Sequence, residues 1–211
     1  MLKLFATKGT ISVAVALVLE EVGAEYELCL IDFATEDQRS QAYLEINSKG
    51  RVPALVTEDG ILTETAAILE YIAPHMLPKD AFACAKHREI SYYLAATMHI
   101  NHAHKLRGYR WADLETSFED MRAKVPQTMV ESCAYVKMSS SARIYLGLSS
   151  PRQTPIFLPL RNGWLAMGWR FQITPSWHSC NGPSPRALRL RRSLRKVCYD
   201  PYLDSGRKAP K

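Results

Sequence analysis

The chain has 211 residues, 47% of them hydrophobic and 23% charged, a balance that permits a globular core and excludes wholesale disorder. Its net charge of +6 is unevenly placed: residues 1–137 carry 14 basic and 19 acidic side chains, whereas residues 138–211 carry 13 basic and 2 acidic ones, Asp200 and Asp204. The basic character belongs to the last third, so the whole-chain charge is no signal for nucleic acid. No apolar run reaches the roughly 18 residues of a membrane-spanning helix. The longest, from Val13 to Leu19, stops at Glu20-Glu21. It follows Lys3 and Lys8 and so imitates a signal peptide, but no small-residue cleavage site comes after it. Cys29, Cys84, Cys133, Cys180 and Cys198 are widely spaced and form no C-x-x-C, which argues against a disulfide framework or zinc ribbon and for a reduced, cytoplasmic setting.

Leu2 to Phe5 reads as a first strand, Thr7 to Thr10 as a turn, and Ser12 to Val22 as a helix closed by Gly23. A second strand over Tyr26–Ile31 completes a strand–helix–strand unit, which makes a parallel pair. Gln41 to Ile46 holds a short helix. Val52 to Val56 is a strand with a proline at its start, Glu58-Asp59-Gly60 a hairpin turn, and Ile61 to Thr63 the returning strand. Ala66 to Ala73 is a helix ended by Pro74. The order β-α-β-α-β-β-α over about 75 residues is enough for a small core of its own.

Pro74 to Asp80 reads as a linker, after which the pattern is helical. Ile90, Leu94 and Met98 mark a helix within 85–107. Phe118, Met121, Val125, Met129 and Cys133 mark another within 114–135, with Pro126 predicting a kink or break. The two are expected to run antiparallel. Beyond Val136 the text changes: eight of the twelve prolines and three of the four tryptophans fall in 138–211, and glutamate disappears. Pro151, Pro155 and Pro159 interrupt apolar runs before they reach helix length.

The most informative segment is Asn47-Ser48-Lys49-Gly50-Arg51-Val52-Pro53-Ala54-Leu55, followed by Asp59 to Ile68 with Glu64-Thr65 at a strand-to-helix junction. Val52-Pro53 opens a strand, a place where a cis peptide can turn the N–H and C=O of Val52 outward to pair with an extended tripeptide. An ordinary trans proline at a sheet edge is the simpler alternative. Backbone N–H groups at a helix N-terminus, with the Thr65 hydroxyl, suit a carboxylate. Thr65 as a plain helix cap and Glu64 as a favourable first-turn charge would leave the same pattern.

These motifs, with Leu4-Phe5 to Glu21 and the element order, resemble the glutathione-binding domain of cytosolic glutathione S-transferases, most closely bacterial members. The resemblance covers residues 1–80 and extends to about 137 as the first helices of the family's second domain. It implies an α/β thioredoxin-like N-terminal domain (1–80) followed by an all-α C-terminal domain, begun over 85–136 and incomplete. It implies glutathione as co-substrate, with Val52 and Pro53 pairing its backbone. Glu64 and Thr65 would hold its γ-glutamyl group, and Lys49 its glycyl carboxylate unless that lysine is merely a solvated loop residue. It implies a small electrophilic second substrate, a detoxifying role, a homodimer if the helical domain is intact, and no metal.

The reaction needs a thiolate. A free thiol has a pKa of about 8.5, lowered by a helix N-terminus and a hydroxyl donor. In the resembled family the donor lies in the loop before the first helix, here Ala6 to Ser12. Bacterial members of the cysteine type carry Pro-Gly-Ala-Cys-Ser; this chain has Lys8-Gly9-Thr10-Ile11-Ser12, with Ile11 at the cysteine position, which argues against mixed-disulfide chemistry. Thr10, then Ser12, are the candidate catalytic hydroxyls; both could instead only cap the helix.

The stretch Met98 to Trp111 is dense in polar and aromatic groups. In the resembled family its helix faces the cleft, which makes Asn101, His102, Arg107 and Trp111 substrate-cleft candidates; solvated helix face and interhelical packing are the alternative. His99 and His102 share a helix face, but no carboxylate at helical spacing completes a metal site. In the basic segment Arg186–Lys196 the leucines form no clean stripe, so neither nucleic acid nor a membrane surface is an expected partner. The abrupt loss of acids and gain of Arg, Ser, Pro and Trp instead suggests that residues 137–211 are a frameshifted product or a poorly ordered tail. Three functions are therefore open: a conjugating transferase, a glutathione-dependent reductase or isomerase, or a non-catalytic glutathione-binding or interaction protein with a damaged helical domain.

Overall fold

The computed structural model describes residues 1–138, which divide after Pro74 into two compact units. In the first unit, strand β1 (Leu2–Ala6) is followed by helix α1 (Ser12–Val22) and strand β2 (Tyr26–Leu30). A short helix α2 (Gln41–Ile46), strands β3 (Ala54–Val56) and β4 (Ile61–Thr63), and helix α3 (Thr65–Ile72) complete it. The sheet order is β2-β1-β3-β4. β1 and β2 are parallel, with Leu4 beside Leu28, and β3 is antiparallel to both β1 and β4. This is the expected thioredoxin-like arrangement.

Apolar pattern explains the layering. Leu4 and Ala6 alternate along β1 and are fully buried, as are Ala54 and Leu55 of β3. α1 is buried over every residue from Ser12 to Leu19, so it is a central helix, apolar all round until Glu20 and Glu21 bring it to the surface. Gly23 ends it at φ +71°, where its N–H bonds Glu20 O and Ala24 N–H bonds Leu19 O, as a left-handed glycine cap does.

The second unit is helical. α4 (Ala81–Tyr93) starts earlier than the periodicity predicts, because the Asp80 carboxylate accepts from Ala83 N–H at 2.8 Å and caps it. It runs through a π turn over Leu94–Met98 into α5 (His99–Ala103). Ile90, Leu94 and Met98 are buried as their spacing predicts, but the π turn has no sequence signal. α6 spans Glu115–Met138 as one helix through Pro126, so the predicted break does not occur there. A proline removes one backbone donor, and flanking turns that stay packed hold the rest: Val125 and Met129, on either side of Pro126, are both buried. Contacts descend along α6 as they ascend along α4–α5: Tyr135 meets Glu89 and Tyr93, Ser132 meets Asn101, and Arg122 meets the Lys105 carbonyl. The pair is therefore antiparallel. The readings made for 139–211 lie outside the described residues.

Candidate active site

The loop between β1 and α1 is tied by hydroxyls. Thr7 Oγ1 donates to the Ile31 carbonyl at 2.7 Å, which fixes the loop to the end of β2. Thr10 Oγ1 lies 2.8 Å from the Thr7 carbonyl and 2.6 Å from Ser12 Oγ. Ser12 Oγ accepts from Thr7 N–H at 3.1 Å and lies 3.2 Å from the Thr7 carbonyl. Ser12 is fully buried and Thr10 half-buried, so Thr10 is the more exposed of the two candidates. Ile11 takes the helix-capping position and offers no side-chain cap, its place being filled by Thr10 Oγ1, which accepts from Ser12 N–H at 3.3 Å.

The second loop carries the motif residues. Its frame is the Arg51 carbonyl, which accepts two hydrogen bonds of 2.6 Å, one from the Tyr43 hydroxyl and one from the Asn47 side-chain amide. Both donors are buried. Burial pushes the Tyr43 phenol up to about 12, against the smaller opposing effect of Asn47, so it remains a donor across the ordinary pH range. Asn47 also accepts from Lys49 N–H at 3.2 Å. Gly50 sits at φ +59°, and a Cβ there would come within 2.9 Å of the Gln38 carbonyl oxygen, so the loop closes only on glycine. The Val52–Pro53 bond that follows is cis, as expected. Tyr43 and Asn47 were not singled out from the sequence; the signal available was an Asx-type residue heading a Ser-Lys-Gly turn.

At the head of α3, Glu64 has φ +70° and ψ 118°, a region that non-glycine residues rarely enter. Its carboxylate pairs with Lys49 Nζ at 2.5 Å, and the same ammonium donates to Thr63 Oγ1 at 2.8 Å. The structure thus brings Lys49 and Glu64 together. Thr65 begins α3, where first-turn amides have no partner inside the helix. Among the described residues no hydrogen bond occupies its hydroxyl.

The four residues named from the second helical stretch do not share one environment. Asn101 donates to Ser132 Oγ at 3.0 Å and to the Thr128 carbonyl at 3.5 Å, which ties α5 to α6. Arg107 lies 3.5 Å from His99 Nε2. Trp111 stacks edge-on against His104 with ring centroids 4.6 Å apart. His102 is half-buried, and its pKa is lowered by burial first and then by the Lys105 and Arg107 cations. Among the described residues no group of three His, Cys, Asp or Glu could hold a metal, and no helix is long and apolar enough to cross a membrane.

The family description "Glutathione S-transferase, N-terminal domain" matches residues 1–74. A solved glutathione transferase homologue from Sulfitobacter, with bound glutathione, is 38% identical, covers 92% of each chain and superimposes with a TM-score of 0.70. The chain belongs to the glutathione S-transferase family. The glutathione S-transferase GstA of Escherichia coli O157:H7 is 31% identical over 106 residues, 46% of this chain and 53% of that protein. The maleylacetoacetate isomerase of Pseudomonas aeruginosa is 29% identical over 103 residues, 45% of this chain and 49% of that protein. The chain therefore spans about half the length of these curated relatives.

Proposed function

We propose that this chain binds glutathione on its N-terminal unit and conjugates it to small, apolar electrophiles, with Thr10 as the hydroxyl that stabilises the thiolate. The carrying observation is the presence of a half-buried Thr10 before α1 and of the Val52–Thr65 constellation on the same unit. The bound glutathione of the Sulfitobacter homologue supports the ligand. Val52 would pair the tripeptide backbone, and the first turn of α3 with the Thr65 hydroxyl would take its γ-glutamyl carboxylate. Glu64 would take the neighbouring ammonium, and Lys49 the glycyl carboxylate. Thr10 then donates to the sulfur, holding charge that water would otherwise have to solvate. The setting this reading implies is cytoplasmic, with the chain acting as a homodimer.

Glutathione-dependent isomerisation is the second reading, supported by the isomerase among the relatives. It uses the same thiolate and differs in the second substrate. Non-catalytic glutathione binding is the third, and it keeps the α3 site while losing the use of Thr10.

Thr65→Ala removes a hydroxyl donor to a charged carboxylate, a loss of about 1.5–3 kcal/mol. Calorimetric titration with glutathione is expected to show at least tenfold weaker binding in the variant. Unchanged affinity removes Thr65 from the site.

A further inference from the structure

Of the three hydroxyls in the loop before α1, that of Thr7 is committed to the Ile31 carbonyl, which leaves the hydrogens of Thr10 and Ser12. The Thr7 carbonyl lies within reach of both, 2.8 Å from Thr10 Oγ1 and 3.2 Å from Ser12 Oγ. The two hydroxyl oxygens are 2.6 Å apart, and either can donate to the other. Each is also an acceptor of a fixed backbone N–H, Ser12 Oγ from Thr7 at 3.1 Å and Thr10 Oγ1 from Ser12 at 3.3 Å. The network therefore has two arrangements. In one, Thr10 donates inward to the Thr7 carbonyl and Ser12 donates to Thr10. In the other, Ser12 serves the Thr7 carbonyl, and the Thr10 hydrogen is released without leaving any oxygen of the loop unbonded.

We propose that Ser12 is a positioning residue for thiolate stabilisation: by donating its own hydroxyl hydrogen to the Thr7 carbonyl, it frees the Thr10 hydrogen to point at the sulfur of bound glutathione. This rests on the reading of Thr10 given above. Ser12 is fully buried, so it acts through Thr10. In that arrangement Thr7 N–H still donates to Ser12 Oγ and Ser12 N–H to Thr10 Oγ1, so both hydroxyl oxygens stay bonded while the Thr10 hydrogen is free. No hydroxyl proton leaves the protein. The thiol proton of glutathione passes to solvent, and Thr10 stays protonated as a donor to the resulting anion.

The test is the ultraviolet thiolate absorbance of glutathione bound to the full chain, titrated with pH. Thr10→Ala and Ser12→Ala are each expected to raise the apparent thiol pKa by about 0.5–1, a three- to tenfold loss of thiolate at fixed pH. In a Thr10→Ala background, Ser12→Ala is expected to add nothing, a coupling that a merely structural role would not produce. If Ser12→Ala fails to fold, Ser12→Cys keeps the volume with a weaker donor and is read in the same way. A shift in Thr10→Ala with a wild-type pKa in folded Ser12 variants overturns this proposal alone. A wild-type protein that forms no thiolate, or a Thr10→Ala variant without a shift, overturns the reading of Thr10 and this proposal with it.

Discussion

Lys49 and Glu64, which the family resemblance implies hold opposite ends of one tripeptide, hold each other: the ammonium lies 2.5 Å from the carboxylate and also bonds Thr63 Oγ1. Both side chains are well exposed, so the pair adds little to stability, within about 1 kcal/mol. In the proposed binding mode its weight falls on binding, because each partner would turn from the other to the ligand or share it. Lys49→Met and Glu64→Gln are expected to leave the unfolding midpoint within a few degrees of wild type. Glutathione affinity should fall about tenfold in each, and its salt dependence should weaken. Thermal melts beside titrations at two ionic strengths check this.

The Arg51 carbonyl predicts a different kind of variant. Asn47→Ala removes one of its two donors and leaves Lys49 N–H without its side-chain acceptor, in a buried place. The expected cost is about 1–3 kcal/mol. Asn47→Asp keeps the acceptor for Lys49 and loses only the donor, so it should be destabilised too. Denaturant unfolding measures both. Wild-type stability in Asn47→Asp would show that the donor to Arg51 carries no weight.

His102 gives the helical unit a pH dependence. Burial lowers its pKa, with Lys105 and Arg107 acting in the same direction, so the unfolded chain binds a proton at higher pH than the folded one. Stability from this group is complete above the ordinary imidazole value of about 6.5 and is lost as the pH falls below it. His102→Gln should flatten that part of the stability–pH profile. An unchanged profile assigns the dependence to other groups.

Most of the first unit was legible in the sequence because its signals are local. Gly23 past an apolar helix and Glu58-Asp59-Gly60 between two short strands each fix one feature, and α1 and the hairpin stand where those residues place them, whereas β3, expected from Val52, begins at Ala54 just past Pro53. Three features needed tertiary structure. The positive φ of Glu64 has no signature in a residue type that prefers negative φ. The burial of Ser12 separates it from Thr10 although the two lie two residues apart in a hydroxyl-rich loop. The use of Asn101 to tie α5 to α6 depends on Ser132, distant in sequence. At Pro126 the local signal allowed a kink or a break, and the break does not occur because buried neighbours hold one helix. For residues 137–211 the frameshift reading belongs to the coding sequence: a one-base correction near codon 137 should restore an acidic, helix-patterned continuation, and its absence would refute that reading.

In the proposed function, an intact Thr10 hydroxyl makes this chain a conjugating enzyme rather than a glutathione-binding protein. The most direct measurement is the rate at which the full chain conjugates glutathione to a chloronitrobenzene at neutral pH, for wild type and for Thr10→Ala at saturating glutathione. Catalysis above the uncatalysed background is expected in wild type, with a loss of about tenfold or more in Thr10→Ala, the weight of one hydrogen bond to a charged group. Glutathione affinity should be retained in the variant. A wild-type chain that binds glutathione yet gives only the background rate, or a Thr10→Ala variant as fast as wild type, would contradict it.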